Sequence, residues 1–161
     1  MAEPRTDATL MEHIEAPSGF RQLVGFKLDS WCCDEAVVSI VVGPRHLNRS
    51  GNVHGGVLTT LIDAAGSFAG CFTPICGNVR KATTLSMAVE FHAPMTTGRI
   101  VARGRVTRTE GPVFHAAVEI ATAAGAALAT GQVRYRYQPG SETPDGVPLP
   151  RGPERRGTTL G

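Results

Sequence analysis

The sequence predicts an α+β domain in which an antiparallel sheet wraps around one long helix. Two observations lead to this. Residues 54 to 70, HGGVLTTLIDAAGSFAG, place Val57, Leu58, Leu61, Ile62, Ala64, Ala65, Phe68 and Ala69 over most of a helical circumference, the pattern of a helix enclosed by protein. After it the apolar positions alternate at period two through four long runs separated by Gly and Pro, which is a meander of strands.

Residues 9 to 16 suit a short helix stopped by Pro17 and Gly19. Residues 22 to 31 and 35 to 42 read as two strands joined at Cys33-Asp34, and Gly43-Pro44 ends the second. Residues 45 to 53 form a loop into the long helix, which Gly70, Pro74 and Gly77 break. In 83 to 92, Leu85, Met87, Val89 and Phe91 share a face. In 98 to 109, Ile100, Ala102, Gly104 and Val106 oppose a basic face carrying Arg99, Arg103 and Arg105, so that side of the sheet is expected to meet solvent. Residues 113 to 123 present Phe114, Ala116, Val118 and Ile120, and 126 to 137 present Val133, Tyr135 and Tyr137. This gives one domain over residues 20 to 138, preceded by a loose segment 1 to 19. Residues 139 to 161, rich in Pro, Gly, Ser and Arg, are expected to form a disordered tail.

Composition narrows the function. A net charge of +2 with scattered arginines argues against nucleic acid and suits an anionic small molecule. Cys32, Cys33, Cys71 and Cys76 lack metal-ligand spacing and read as reduced thiols, and no metal or cofactor is expected. With no apolar leader in the first twenty residues and no spanning stretch, a cytoplasmic chain without a membrane partner is expected.

Asp63 is the one charge on the long helix, and a carboxylate placed out of water needs pairing, hydrogen bonds or a chemical use. Thr59, Asp63 and Ser67 form one narrow polar seam. His54-Gly55-Gly56 places unpaired N–H groups and the positive end of the helix dipole at one point, suited to a carbonyl oxygen gaining charge. Eight residues of helix put Asp63 roughly 12 Å from Gly55, too far for one chain to use both on one carbon. Two antiparallel helices from two copies would bring Asp63 of one opposite Gly55 of the other, so a homodimer with composite sites is expected.

Asn48, His54-Gly-Gly, Asp63 and the strand from Ala82-Thr-Thr-Leu to Phe91-His-Ala-Pro94 together resemble hotdog-fold acyl-CoA thioesterases of the phenylacetyl-CoA thioesterase-like branch, over residues 20 to 137. The resemblance implies a helix wrapped by an antiparallel sheet, dimers joined sheet edge to sheet edge and often paired into tetramers, and hydrolysis of an acyl-CoA without metal or redox cofactor. By position it makes Asp63 the general base or the nucleophile, and Gly55 the N–H donor to the thioester oxygen. His54 stands beside that oxygen or fixes the loop. Asn48 holds water or carbonyl, or is a turn residue, and Thr84 lies near the water. Gly56, Thr83, Arg80 and Lys81 are candidate substrate contacts, the last two for phosphates. His13 and His46 are read as surface residues. Two rival functions remain: a hotdog hydratase or dehydratase, whose catalytic His would need a different frame, and a non-catalytic acyl-CoA-binding module, in which Asp63 would have no use.

Overall fold

The structure, a computed structural model, describes residues 19–149, so the short helix expected at 9 to 16 lies outside the described residues. Helix α1 spans Gly19–Val24, strand β1 Lys27–Cys32 and β2 Glu35–Val41. The long helix α2 covers Gly55–Gly70. The short β3 (Asn78–Val79) precedes β4 (Ala82–Phe91), β5 (Arg99–Glu110), β6 (Val113–Thr122) and β7 (Ala127–Tyr137), and β8 is Val147–Pro148. Six strands form one sheet in the order β1-β2-β5-β6-β7-β4, each neighbour antiparallel. The α+β hotdog architecture expected from the sequence is what forms.

One expected strand is partly helix. Residues 19–24 coil as α1, and the chain turns at Gly25, whose φ of 81° is open to glycine and whose N–H donates to the Arg21 carbonyl at 2.6 Å. A strand over this stretch would make that glycine interior; it is a helix terminator.

Helix α2 lays Leu58, Leu61, Ile62, Ala65 and Ala69 on the sheet against Val38, Ile100, Ala102, Phe114, Val118 and Ile120, all buried. Small residues let the backbones approach. A Cβ on Gly104 would strike the Ala65 carbonyl, and one on Gly66 would meet the Tyr135 hydroxyl oxygen at 2.5 Å. Three ring donors then fix the helix to the sheet. Trp31 Nε1 donates to the Phe68 carbonyl at 2.6 Å, Tyr135 Oη to that of Asp63 at 2.8 Å, and Tyr137 Oη to that of Gly70 at 2.8 Å.

The opposite side of α2 departs from expectation. Val57, Thr60, Asp63, Ala64, Ser67 and Phe68 are only half-buried, so one chain covers one side of a helix whose composition suits enclosure on both. Asp63 therefore reaches water in the single chain, and desolvation of its carboxylate would require a further covering surface.

The tail expected to be disordered from 139 is ordered at least to Leu149. Val79 and Val147 pair across β3 and β8, Ser141 is buried, and Thr73 Oγ1 and Asn78 Nδ2 both donate to the Asp145 carbonyl. Arg80 is the hub: it donates to the carbonyls of Phe72, Ser141 and Glu142 at 3.0–3.2 Å and stacks its guanidinium 4.2 Å from the Tyr137 ring centroid. Hydrogen bonds to main chain replace the apolar contacts that this composition cannot supply. Arg80→Met is expected to cost about 2 kcal/mol, a Tm drop of roughly 4–8 °C, with hydrogen exchange accelerated over residues 141–148 and little change elsewhere.

Candidate active site

The site lies along the uncovered side of α2. His54 is the N-cap of the helix, with extended backbone (φ −64°, ψ 135°), and its Nδ1 accepts the Gly56 N–H at 2.9 Å. A ring nitrogen that accepts is unprotonated, so a neutral His54 carries its proton on Nε2, facing away from the cap. The Gly55 N–H has no hydrogen-bond acceptor among the described residues. Of the two glycine donors expected at this point, Gly55 remains available and Gly56 is occupied by the cap. The Phe91 ring lies over Gly55, 3.3 Å from where a Cβ would stand, so glycine leaves the room in which an acceptor could approach that N–H.

Two turns along, the Asp63 carboxylate accepts a hydrogen bond from Thr84 Oγ1 at 2.8 Å. The bulge at Leu85 decides between the two threonines, because it breaks the alternation expected with Leu85, Met87, Val89 and Phe91 on one face: Thr84 faces the helix, Thr83 lies on the other face opposite Arg136, and Leu85 is exposed. Thr84 stands directly across from Tyr135 in the β4–β7 register, and a bulge follows at Leu85. The same cross-strand pair thus holds Asp63 twice, Thr84 by its carboxylate and Tyr135 by its main-chain carbonyl. Burial and the nearby Asp63 charge push the Tyr135 phenol far above its ordinary range, and the Ser67 backbone amide opposes that rise. Tyr135 therefore stays a protonated donor.

Asp63 also opens on a cleft of about 240 Å³ lined by Phe20, Phe26, Thr60, Ala64, Ser67 and Phe68. Three phenyl rings and small helix residues around one carboxylate make a mostly apolar chamber with a polar floor. Phe20 and Phe26 arrive from α1 and the turn before β1, more than thirty residues upstream, and carry no local signal of this placement.

The remaining candidates divide. Asn48 closes its own loop: its Oδ1 accepts the N–H groups of Ser50 and Asn52 at 2.9 and 3.2 Å, so its turn role is realised. His46 is buried, contrary to expectation. Its Nδ1 accepts from the Gly43 N–H and its Nε2 lies 2.8 Å from the Val24 carbonyl, which ties α1 to the loop leading into α2. Arg80 has its guanidinium committed to the C-terminal segment, which sets it in a structural position rather than a phosphate-binding one. Lys81 is exposed. Among the described residues no cluster of three His, Cys, Asp or Glu is placed to hold a metal, and no helix is long and apolar enough to cross a membrane.

Residues 50–129, which carry α2 and most of the sheet, match the profile of the thioesterase superfamily. The domain belongs to the thioesterase superfamily. Solved structures agree with this thioesterase fold. A thioesterase from Haemophilus influenzae superposes with a TM-score of 0.72 at 18% identity, over 85% of this chain and 93% of its own. A mutant of the phenylacetic acid degradation protein PaaI from Thermus thermophilus gives 0.64 at 25% identity, over 74% and 98%. A hypothetical thioesterase from Streptococcus pneumoniae, solved with coenzyme A, gives 0.62 at 18%, over 70% and 88%. No curated protein matches the chain by sequence. These relatives are consistent with the phenylacetyl-CoA thioesterase-like branch of the hotdog thioesterases.

Proposed function

We propose that this thioesterase domain hydrolyses acyl-CoA thioesters to a carboxylic acid and free coenzyme A, at sites each built from two copies of the chain. The observation that carries the reading is the Thr84–Asp63 hydrogen bond at the mouth of the apolar cleft. A carboxylate held by one hydroxyl keeps acceptor capacity for a water, and the cleft offers room for an acyl group beside it. Asp63 then either takes the proton of a water attacking the thioester carbon, or attacks that carbon itself, expelling coenzyme A as the C–S bond breaks and leaving an anhydride that water cleaves to free the acid and Asp63. In the first route the tetrahedral oxyanion collapses, the C–S bond breaks, and the departing thiolate recovers the proton held by Asp63.

The oxyanion needs a donor, and the Gly55 N–H at the positive end of α2 suits it. Its separation from Asp63, roughly 12 Å at the helical rise, supports a site whose two groups come from different copies. The half-buried side of α2 and the unpaired β4 edge, with Leu85 and Phe91 exposed, supply surfaces for a second copy. Pairing of such dimers into tetramers, the contribution of Thr83 and Lys81 to coenzyme A binding, and a cytoplasmic location belong to the same proposal. A hydratase reading is disfavoured by the histidines. His46 is buried with both ring nitrogens engaged, and His54 spends Nδ1 on its cap.

The test is thiol release from a panel of acyl-CoAs of increasing size, including aryl and enoyl groups. Hydrolysis with free thiol formed in step with acid is the expected outcome. Hydration of the enoyl-CoA with its thioester intact, or binding without turnover, would replace this reading by a rival.

A further inference from the structure

We infer that Tyr135 is a positioning residue for the reaction, setting where Asp63 stands relative to the thioester; this rests on the hydrolytic reading above. Three observations meet at its hydroxyl. Tyr135 is fully buried, stacked on Phe114 at 4.8 Å between centroids, so the ring has one place to be. Its Oη donates to the main-chain carbonyl of Asp63 itself. Gly66 leaves the gap through which it reaches the helix backbone, since a Cβ there would stand 2.5 Å from the oxygen.

A rigid ring that donates to a helix carbonyl from the sheet fixes the distance between sheet and helix at that turn. Here the turn is the one bearing the carboxylate. The strand residue opposite Tyr135 is Thr84, which holds that carboxylate. One rung of the β4–β7 ladder therefore sets both ends of Asp63, and Tyr135 transmits the position of the sheet to it. Tyr137, two residues on, grips Gly70 in the same manner but one helix segment away from the carboxylate, which makes it the internal control.

Steady-state kinetics on Tyr135→Phe, alone and combined with Asp63→Asn, test this. In the wild-type background kcat is expected to fall about 10- to 100-fold with KM changed less than about threefold. In the Asp63→Asn background the same substitution is expected to change the residual rate less than about twofold, because the group it positions is gone. An equal fractional loss in both backgrounds, or a lowered Tm with unchanged kcat, overturns the inference. A second readout needs neither substitution at 135 nor turnover. The chain has two tyrosines, so 3-fluorotyrosine labelling gives one fluorine signal each from Tyr135 and Tyr137. The Tyr135 signal is expected to shift between the wild type and Asp63→Asn, while the Tyr137 signal stays the same in both. A Tyr135 signal indifferent to Asp63 overturns the inference. Absence of hydrolysis with any acyl-CoA would instead remove the thioesterase reading, and the fluorine comparison would still report whether the two residues are coupled.

Discussion

Asp63→Asn is expected to lower kcat for acyl-CoA hydrolysis by about 10³-fold or more while leaving the fold and its Tm nearly unchanged. Asn keeps the size of the side chain and an oxygen that can accept from Thr84 Oγ1. It removes both basicity and nucleophilicity, and loss of a positioned general base alone is worth about 10²–10⁴. Asn also matches Asp in volume, so the packing around position 63 is retained. Parallel progress curves for the two proteins, with circular dichroism to verify folding, measure this. Equal rates would remove Asp63 from the chemistry.

Gly104→Val is expected to destabilise the domain by about 3 kcal/mol or more, enough to unfold a marginal protein. The first added carbon would already strike the Ala65 carbonyl, which is backbone and has no rotamer to yield. Accommodation would require α2 to lift from β5, and the buried Leu61, Ile62 and Ala65 would lose contact with the sheet. Because the lifted turn carries Asp63 on its outer side, activity would fall with stability. Urea denaturation measures the loss; a shift below about 1 kcal/mol would mean that the helix–sheet spacing is far softer than this packing implies.

The helix, the strand meander and the candidate site residues are legible in the sequence because each leaves a local trace. One carboxylate on an apolar helix and two glycines at its start need no tertiary knowledge. The choice of Thr84 over Thr83 comes from the family resemblance instead: strand period alone puts Thr83 on the face of Leu85, Met87, Val89 and Phe91, and the bulge at Leu85 turns Thr84 to the helix. What escaped depends on long-range partners. Tyr135 and Tyr137 read as core residues because their hydroxyls find carbonyls 72 and 67 positions earlier in the chain. Phe20 and Phe26 join the Asp63 cleft only when α1 folds over α2. Residues 139–149 have the composition of a loose tail, and they are held by the Arg80 and Asn78 side chains, a device invisible to hydropathy. His46 looked like one more polar loop residue, yet its ring bridges Gly43 and Val24 inside the protein.

The helix also explains why a correct reading of its composition gave an incomplete picture of its surroundings. An apolar circumference was read as enclosure, and one chain encloses only one side. The half-buried side bears the carboxylate and begins at the Gly55 N–H, which has no acceptor among the described residues. A second copy would complete the cover and the site together, which links the energetics of assembly to catalysis.

Complementation between two disabled variants tests that link most directly. Asp63→Asn removes the carboxylate and leaves the Gly55 donor; Gly55→Val drives a branched side chain into the Phe91 ring and shields the donor, leaving the carboxylate. Each alone is expected to be nearly inactive. Co-expressed in equal amounts, they form mixed dimers in which one composite site has both groups intact, and activity should return to about a quarter of the wild-type value for random two-fold assembly. A mixture no more active than the two variants measured apart would contradict a site shared between copies.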